Sequence, residues 1–137
     1  MKDRHELLSP DSMVPASGFS HAVVPAAGRH VYIAGQIGVD NNGALAGDGL
    51  PAQLDAALAN VVDALAAAGA EPHHIVSMTI YTTAMQEYRD GLGEIGAVWR
   101  GHLGRHYPAV AMLGVDELVE PRAVVEIVAV AVIPEQI

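Results

Sequence analysis

The apolar positions follow a helical repeat in one stretch and a strand-like pattern in several others. From Leu50 to Ala68, the residues Leu54, Leu58, Val61, Val62, Leu65 and Ala68 recur at steps of three and four, the repeat of one helix face. Pro51 suits the first turn and Gly69 the position after the last. Asp55 and Asp63 fall off the stripe, so this helix can lie on a sheet. A second helix is predicted over Gln86–Leu103, with Tyr88, Leu92, Ile95, Trp99 and Leu103 on one side. Its glycines weaken it, each by about 1 kcal/mol relative to Ala.

His30–Ala34 is β-branched and aromatic, ends at Gly35, and predicts a strand. His21–Val24 closes at Pro25; with Ala26–Arg29 as a turn, it predicts a hairpin with His30–Ala34. Asp40-Asn41-Asn42-Gly43 is the strongest turn signal. Ile75–Thr82 and Ala109–Val115 are further strands. Ala123–Ile133 is Val-rich and apolar on both faces, as a central strand is. Met1–Gly18, rich in Pro, Ser and charge, predicts an arm with little regular structure. The order β-β-α-β-α-β-β favours an α+β fold, a sheet with two helices on one face, in a single domain of 137 residues. Two helices cover one face only. The other face of the last strand needs a cover, most simply another subunit.

Composition narrows the function classes. The absence of cysteine excludes disulfide scaffolds, thiolate zinc sites, iron–sulfur clusters and cysteine nucleophiles. An apolar fraction of 51% excludes a disordered chain. The formal charge of -9, with no dense basic run, argues against a nucleic-acid partner. The charged start Met1–Glu6 does not resemble a signal peptide. The apolar run Ala123–Pro134 is too short to span a bilayer and is interrupted by Glu126. A soluble, cytoplasmic protein with no membrane partner is the expectation.

Several chemical motifs fail on context. Gly91-Leu-Gly-Glu-Ile-Gly96, with Asp116 downstream, matches G-x-G-x-x-G but follows a polar, helical stretch instead of a strand. Small-residue helix packing is the better reading, and no cofactor is expected. His102 and His106 are spaced i, i+4, but Gly104 lies between them; His73 and His74, as neighbours at a strand start, are expected on opposite faces. Solvated histidines are expected, not a metal site. Ser9, Ser12, Ser17, Ser20 and Ser77 lack a nucleophile elbow. Glu126 is more informative. By alternation it shares a face with Val124, Val128, Val130 and Val132. A carboxylate among valines needs a partner, a hydrogen bond or a proton. A general acid or base, or half of a structural ion pair, would each explain it.

Five stretches in order resemble the RidA family, also called YjgF-like proteins or reactive-intermediate deaminases. They are Gly18–Val23, Val31–Gly38 with Asp40 and Gly43, Gln53–Gly69 with Asn60 and Val61, Tyr107–Ala109, and Val125–Ile127. The resemblance implies a chorismate-mutase-like fold, assembled as a homotrimer around a central barrel. It also implies clefts between subunits where small enamines or imines are hydrolysed to keto compounds and ammonia. It places the water-positioning glutamate on Glu126. The arginine that grips the substrate carboxylate in active relatives is replaced by Val110, and the cysteine two residues later by Met112. The N-terminal tyrosine is Phe19, and the serine before Gly35-Gln36 is Ala34. The candidate binding residues are thus Phe19, His21, Ala34, Gln36, Val110 and Met112, with His102 a further polar contact and Glu126 catalytic. Arg105 and Arg122 are the nearest sequence replacements for the lost arginine. The chain is expected to be a divergent member: a small-molecule hydrolase or deaminase, or a non-catalytic ligand-binding or structural trimer. Endoribonuclease activity or inhibition of translation, also described in the family, fits the charge poorly.

Overall fold

The structure, a computed structural model, describes residues 4–135 of the chain. Ten elements follow one another: β1 (Glu6–Leu8), β2 (Ala22–Val24), β3 (Gly28–Ile37), α1 (Leu50–Ala67), a 3-10 turn (Pro72–His74), β4 (Ile75–Thr82), α2 (Met85–Asp90), α3 (Leu92–Leu103), β5 (Ala109–Gly114) and β6 (Val125–Pro134). The main sheet has the order β3-β6-β4-β5, in which β6 runs antiparallel to β3 and β4, and β4 parallel to β5. The predicted α+β class holds, and the Val-rich last strand is central. Among the described residues no helix is long and apolar enough to cross a membrane.

The apolar stripe of α1 does what its spacing predicts. Leu50, Leu54, Ala57, Leu58, Val61 and Leu65 are all buried. They meet Val125, Ile127, Ala129 and Ala131 of β6, Ile75, Met78 and Ile80 of β4, and Ile95, Trp99 and Leu103 of α3 in one core. Burial of each large side chain there contributes about 1.5–3 kcal/mol before the entropy of ordering is subtracted. The start of α1 has no side-chain cap of its own; the Glu87 carboxylate of α2 accepts the Leu50 N–H at 2.9 Å instead.

Two of the expected elements are corrected, and the arm of little regular structure carries one three-residue strand, β1, which pairs antiparallel with β2, Glu6 opposite Val24. Residues 1–3 of that arm lie outside the described residues. His5 anchors the turn into β1, its Nδ1 accepting the Ala26 N–H while Nε2 reaches the carbonyls of His74 and Val132. With β2 paired to β1, the predicted hairpin of β2 and β3 does not form. The predicted turn at Gly28-Arg29 instead opens β3, because Gly28 has no side chain to strike the Ile133 carbonyl of β6. The second predicted helix is two: Gly91, at φ -118 and ψ 29, ends α2 and starts α3. Gly91 therefore lies between two helices and Gly93 and Gly96 within α3, places that no dinucleotide loop occupies.

Candidate functional site

Strand pairing decides which predicted residues can meet. Glu126 stands opposite Ile37 on β3 and Tyr81 on β4, and Tyr81 stands beside Leu113 on β5. Its neighbours Val125 and Ile127 are fully buried against the helices. Glu126 therefore points to the other face, together with Val128 and Val130, and is partly buried there. Tyr32, opposite Val130, is 73% exposed on the same face. Among the described residues no helix covers this side, as the doubly apolar strand suggests.

The setting of Glu126 comes from both strand neighbours and from α1. A register shift between Ile33 and Gln36 marks a bulge in β3. Gly35, inside it, lies against the Glu126 side chain. The far end of β3 is pinned by Asn60 of α1, whose Nδ2 donates to the carbonyls of Ile37 and Val39 at 3.0 and 2.8 Å. The entry to β6 is pinned by Gln53, fully buried, which donates to Gly47 and Arg122 carbonyls and accepts the Val124 N–H at 2.8 Å. Gln53 and Asn60 are positioning residues. In the sequence both stand in the α1 stretch that carries the family resemblance, with no role attached to either. Glu126 itself has no hydrogen bond or ion pair among the described residues.

The other predicted site residues divide between two faces. Ala34 is exposed near the bulge, and Gln36 turns back to donate to the Ala34 carbonyl at 3.0 Å. Phe19 and His21 are in edge contact, centroids 5.1 Å apart, over a shallow depression beside Ser77, Thr79 and Ala111. His21 is held by the Val14 carbonyl at 2.7 Å. Val110 and Met112 pair with Met78 and Ile80, and pack on the helix side. There they line a cavity of about 420 Å³ between α3 and the strands. Within the chain, Val110 and Glu126 thus face opposite ways.

The arginine and histidine expectations also change. Neither Arg105 nor Arg122 lines this cavity; Arg122 lies 4.0 Å from Glu120. Arg100 of α3, which sequence proximity did not single out, does line it. His102 is engaged with Asp55 at 2.6 Å, tying α3 to α1, and so offers no contact to either site. His106 lies beyond the helix and bonds the Ile75 carbonyl at 2.7 Å, so the pair does not share a helix face. His73 and His74 do not straddle a strand: they sit in the 3-10 turn with ring centroids 4.2 Å apart. Their ligand atoms and those of Glu71 lie within 4.8 Å of one another, a geometry a metal ion could use. The turn is closed by the Glu71 backbone carbonyl, which accepts the His74 N–H at 2.9 Å, and His74 Nδ1 already accepts the Glu71 N–H at 3.0 Å. Burial holds His106 below the ordinary histidine pKa of 6.5, against the opposing Ile75 hydrogen bond. Burial and the adjacent His73 do the same to His74.

The mixed sheet thus carries both main helices on one face and, on the other, a bulged strand beside Glu126. The family profile described as endoribonuclease L-PSP matches residues 10–133, and the chain belongs to this family. YyfB of Yersinia pestis, a protein of unknown function of the conserved Rid family, is 33% identical. The similarity covers 94% of this chain and 98% of that one, with a TM-score of 0.84. A Mycobacterium tuberculosis member of the YjgF/YER057c/UK114 family is 32% identical over 93% and 98% of the two chains, with a TM-score of 0.63. RidA of an Antarctic Psychrobacter is 27% identical over 93% and 98%, with a TM-score of 0.67. No curated protein sequence matches the chain.

Proposed function

We propose that the protein is a small-molecule hydrolase of the Rid class that acts on a reactive enamine or imine as a homotrimer. One observation carries the reading: among the described residues, Glu126 is a partly buried carboxylate with no partner, on a sheet face that no helix covers. A second copy on that face would close a cleft over it. In the reaction, a water bound by Glu126 adds to the imine carbon and gives up a proton to the carboxylate, which passes it to the nitrogen to form a carbinolamine. The carboxylate then takes the carbinolamine hydroxyl proton and delivers it to the nitrogen, the C=O bond forms as the C–N bond breaks, and the keto compound and ammonia leave.

Val110 cannot grip a carboxylate as an arginine does. Losing such a contact from a buried site lowers the rate by about 30- to 5,000-fold. The test is ammonia release from enzymatically generated 2-iminobutyrate. Release that is slow but above the uncatalysed rate, and lost in Glu126→Gln, supports the hydrolase. Release no faster than without protein overturns it.

A second reading, a ligand-binding trimer without hydrolysis, is favoured by a different observation: Val110 and Met112 face the helix side while Glu126 faces away. RNA cleavage, which the family's descriptive name suggests, finds little support. The charge is -9, and the stacked Trp99 and Tyr107 lie in the cavity wall, not on an open platform for bases.

A further inference from the structure

The 3-10 turn that leads into β4 gathers three ligand-type side chains within four residues: Glu71, His73 and His74. Three residues complete one turn of such a helix, so Glu71 and His74 stand on the same side of it. The His73 ring lies against the His74 ring, centroids 4.2 Å apart. One ligand atom of each residue lies within 4.8 Å of the other two. Zinc bonds of about 2.0–2.1 Å at tetrahedral angles set ligand atoms about 3.4 Å apart. The Glu71 and His73 side chains are exposed and can rotate to close the remainder.

The backbone beneath these side chains is fixed on both sides. Pro72 sets φ at the first position of the turn. The Ile75 N–H donates to the Pro72 carbonyl, and the Ile75 side chain is fully buried at the start of β4. The His74 carbonyl accepts from His5 Nε2 at 3.2 Å. The two other histidines near the turn are already committed. His5 Nδ1 accepts the Ala26 N–H, and His106 Nε2 bonds the Ile75 carbonyl. His74 Nδ1 accepts the exposed Glu71 N–H at 3.0 Å. A metal ion can take that lone pair while the N–H turns to water.

We infer that Glu71, His73 and His74 form a zinc site, with one carboxylate oxygen and two imidazole nitrogens on the ion and a water completing the tetrahedron. Two nitrogens and one oxygen suit a borderline ion, whereas magnesium and calcium require mostly oxygen ligands. The net charge of -9 favours a cation at the surface. The ion clamps the turn between α1 and β4 and, through the His74 carbonyl, the place where His5 anchors the arm. Ile75, which follows the turn, lies six residues along β4 from Tyr81, the strand neighbour of Glu126, or about 20 Å. The site therefore does not depend on the hydrolase reading.

The test is calorimetric titration of the metal-free protein with zinc chloride at neutral pH, with magnesium chloride as the comparison. Zinc should bind saturably at one ion per chain, and magnesium should not. His73→Ala and Glu71→Gln should each weaken zinc binding by about 10-fold or more, since the loss of even an outer partner of a metal ligand costs that much. Both side chains are exposed, so both variants should fold, which far-ultraviolet circular dichroism checks. Absence of saturable zinc binding, equal binding of magnesium, or a zinc affinity unchanged in either variant would each overturn the inference.

Discussion

Gly35 and Glu126 are packed so closely that a Cβ at position 35 would lie 2.5 Å from Glu126 Oε2 and 3.1 Å from its Cγ. The bulge in β3 brings the bare backbone of Gly35 against the carboxylate, and the backbone there needs no positive φ. The glycine is thus required by space rather than by conformation. It gives the side chain of Glu126 a floor without giving it a hydrogen-bond partner.

Gly35→Ala should therefore displace the Glu126 side chain. The expected destabilisation is about 1–3 kcal/mol, as for an added methyl in a packed site. Glu126→Ala should relieve it, so the double variant should show a coupling of about 0.5–3 kcal/mol in denaturant unfolding. Strict additivity would show that the two residues do not touch.

Light scattering on the purified protein should give three times the chain mass of 14.3 kDa. The expectation rests on Val128, Val130 and Tyr32, which lie on a sheet face with no cover from the chain itself. Val128→Asp should shift the mass toward one protomer, because a charge at an apolar interface is desolvated without a partner. A monomer mass for the unaltered protein at micromolar concentration would rule the trimer out.

The sequence made the long-range architecture legible where burial is periodic. The α1 stripe and the doubly apolar β6 each carry their environment in their spacing. The β1–β2 pairing was not legible, because three-residue strands have too few positions to show alternation, and β1 lies among prolines and serines. The break at Gly91 was visible only as a weak helix. For the site, alternation put Glu126 on the correct face. On β5 alternation alone leaves the face open, and it is the parallel pairing with β4 that turns Val110 to the helices. Arg100 stayed hidden because its relation to Val110 runs through packing of α3 on the sheet, not through sequence distance.

Mild acidification should weaken the fold through two partly buried histidines. Burial keeps His106 and His74 below the usual histidine pKa of 6.5, so both are more easily protonated when unfolded. Their contribution to stability is complete above the unfolded pKa and is lost as the pH falls through the lower folded values. Melting temperature should accordingly drop between about pH 7.5 and pH 5. His106→Gln keeps a donor for the Ile75 carbonyl but cannot titrate, and should flatten that dependence. An equally steep dependence in this variant would assign the effect to other groups.

Glu126→Gln separates chemistry from structure. The amide has the shape of the carboxylate and can still bind a water, but it cannot take that water's proton. If Glu126 is the general base, hydrolysis should fall by about 10²- to 10⁴-fold. Stability should hardly move. No cation is paired with Glu126 among the described residues, so the change leaves no buried charge stranded there. A shift within about 0.5 kcal/mol is expected, as for substitutions away from buried networks. The alternative is that a cation from a neighbouring copy pairs with the carboxylate across the uncovered face. That pair would be broken by the amide, and the melting temperature and the assembly would both fall, since an unpaired buried charge is strongly destabilising. Rate and melting temperature measured on this single variant therefore move in opposite patterns under the two readings. An unchanged rate with a lowered melting temperature would remove Glu126 from the mechanism and leave it as a joint between subunits.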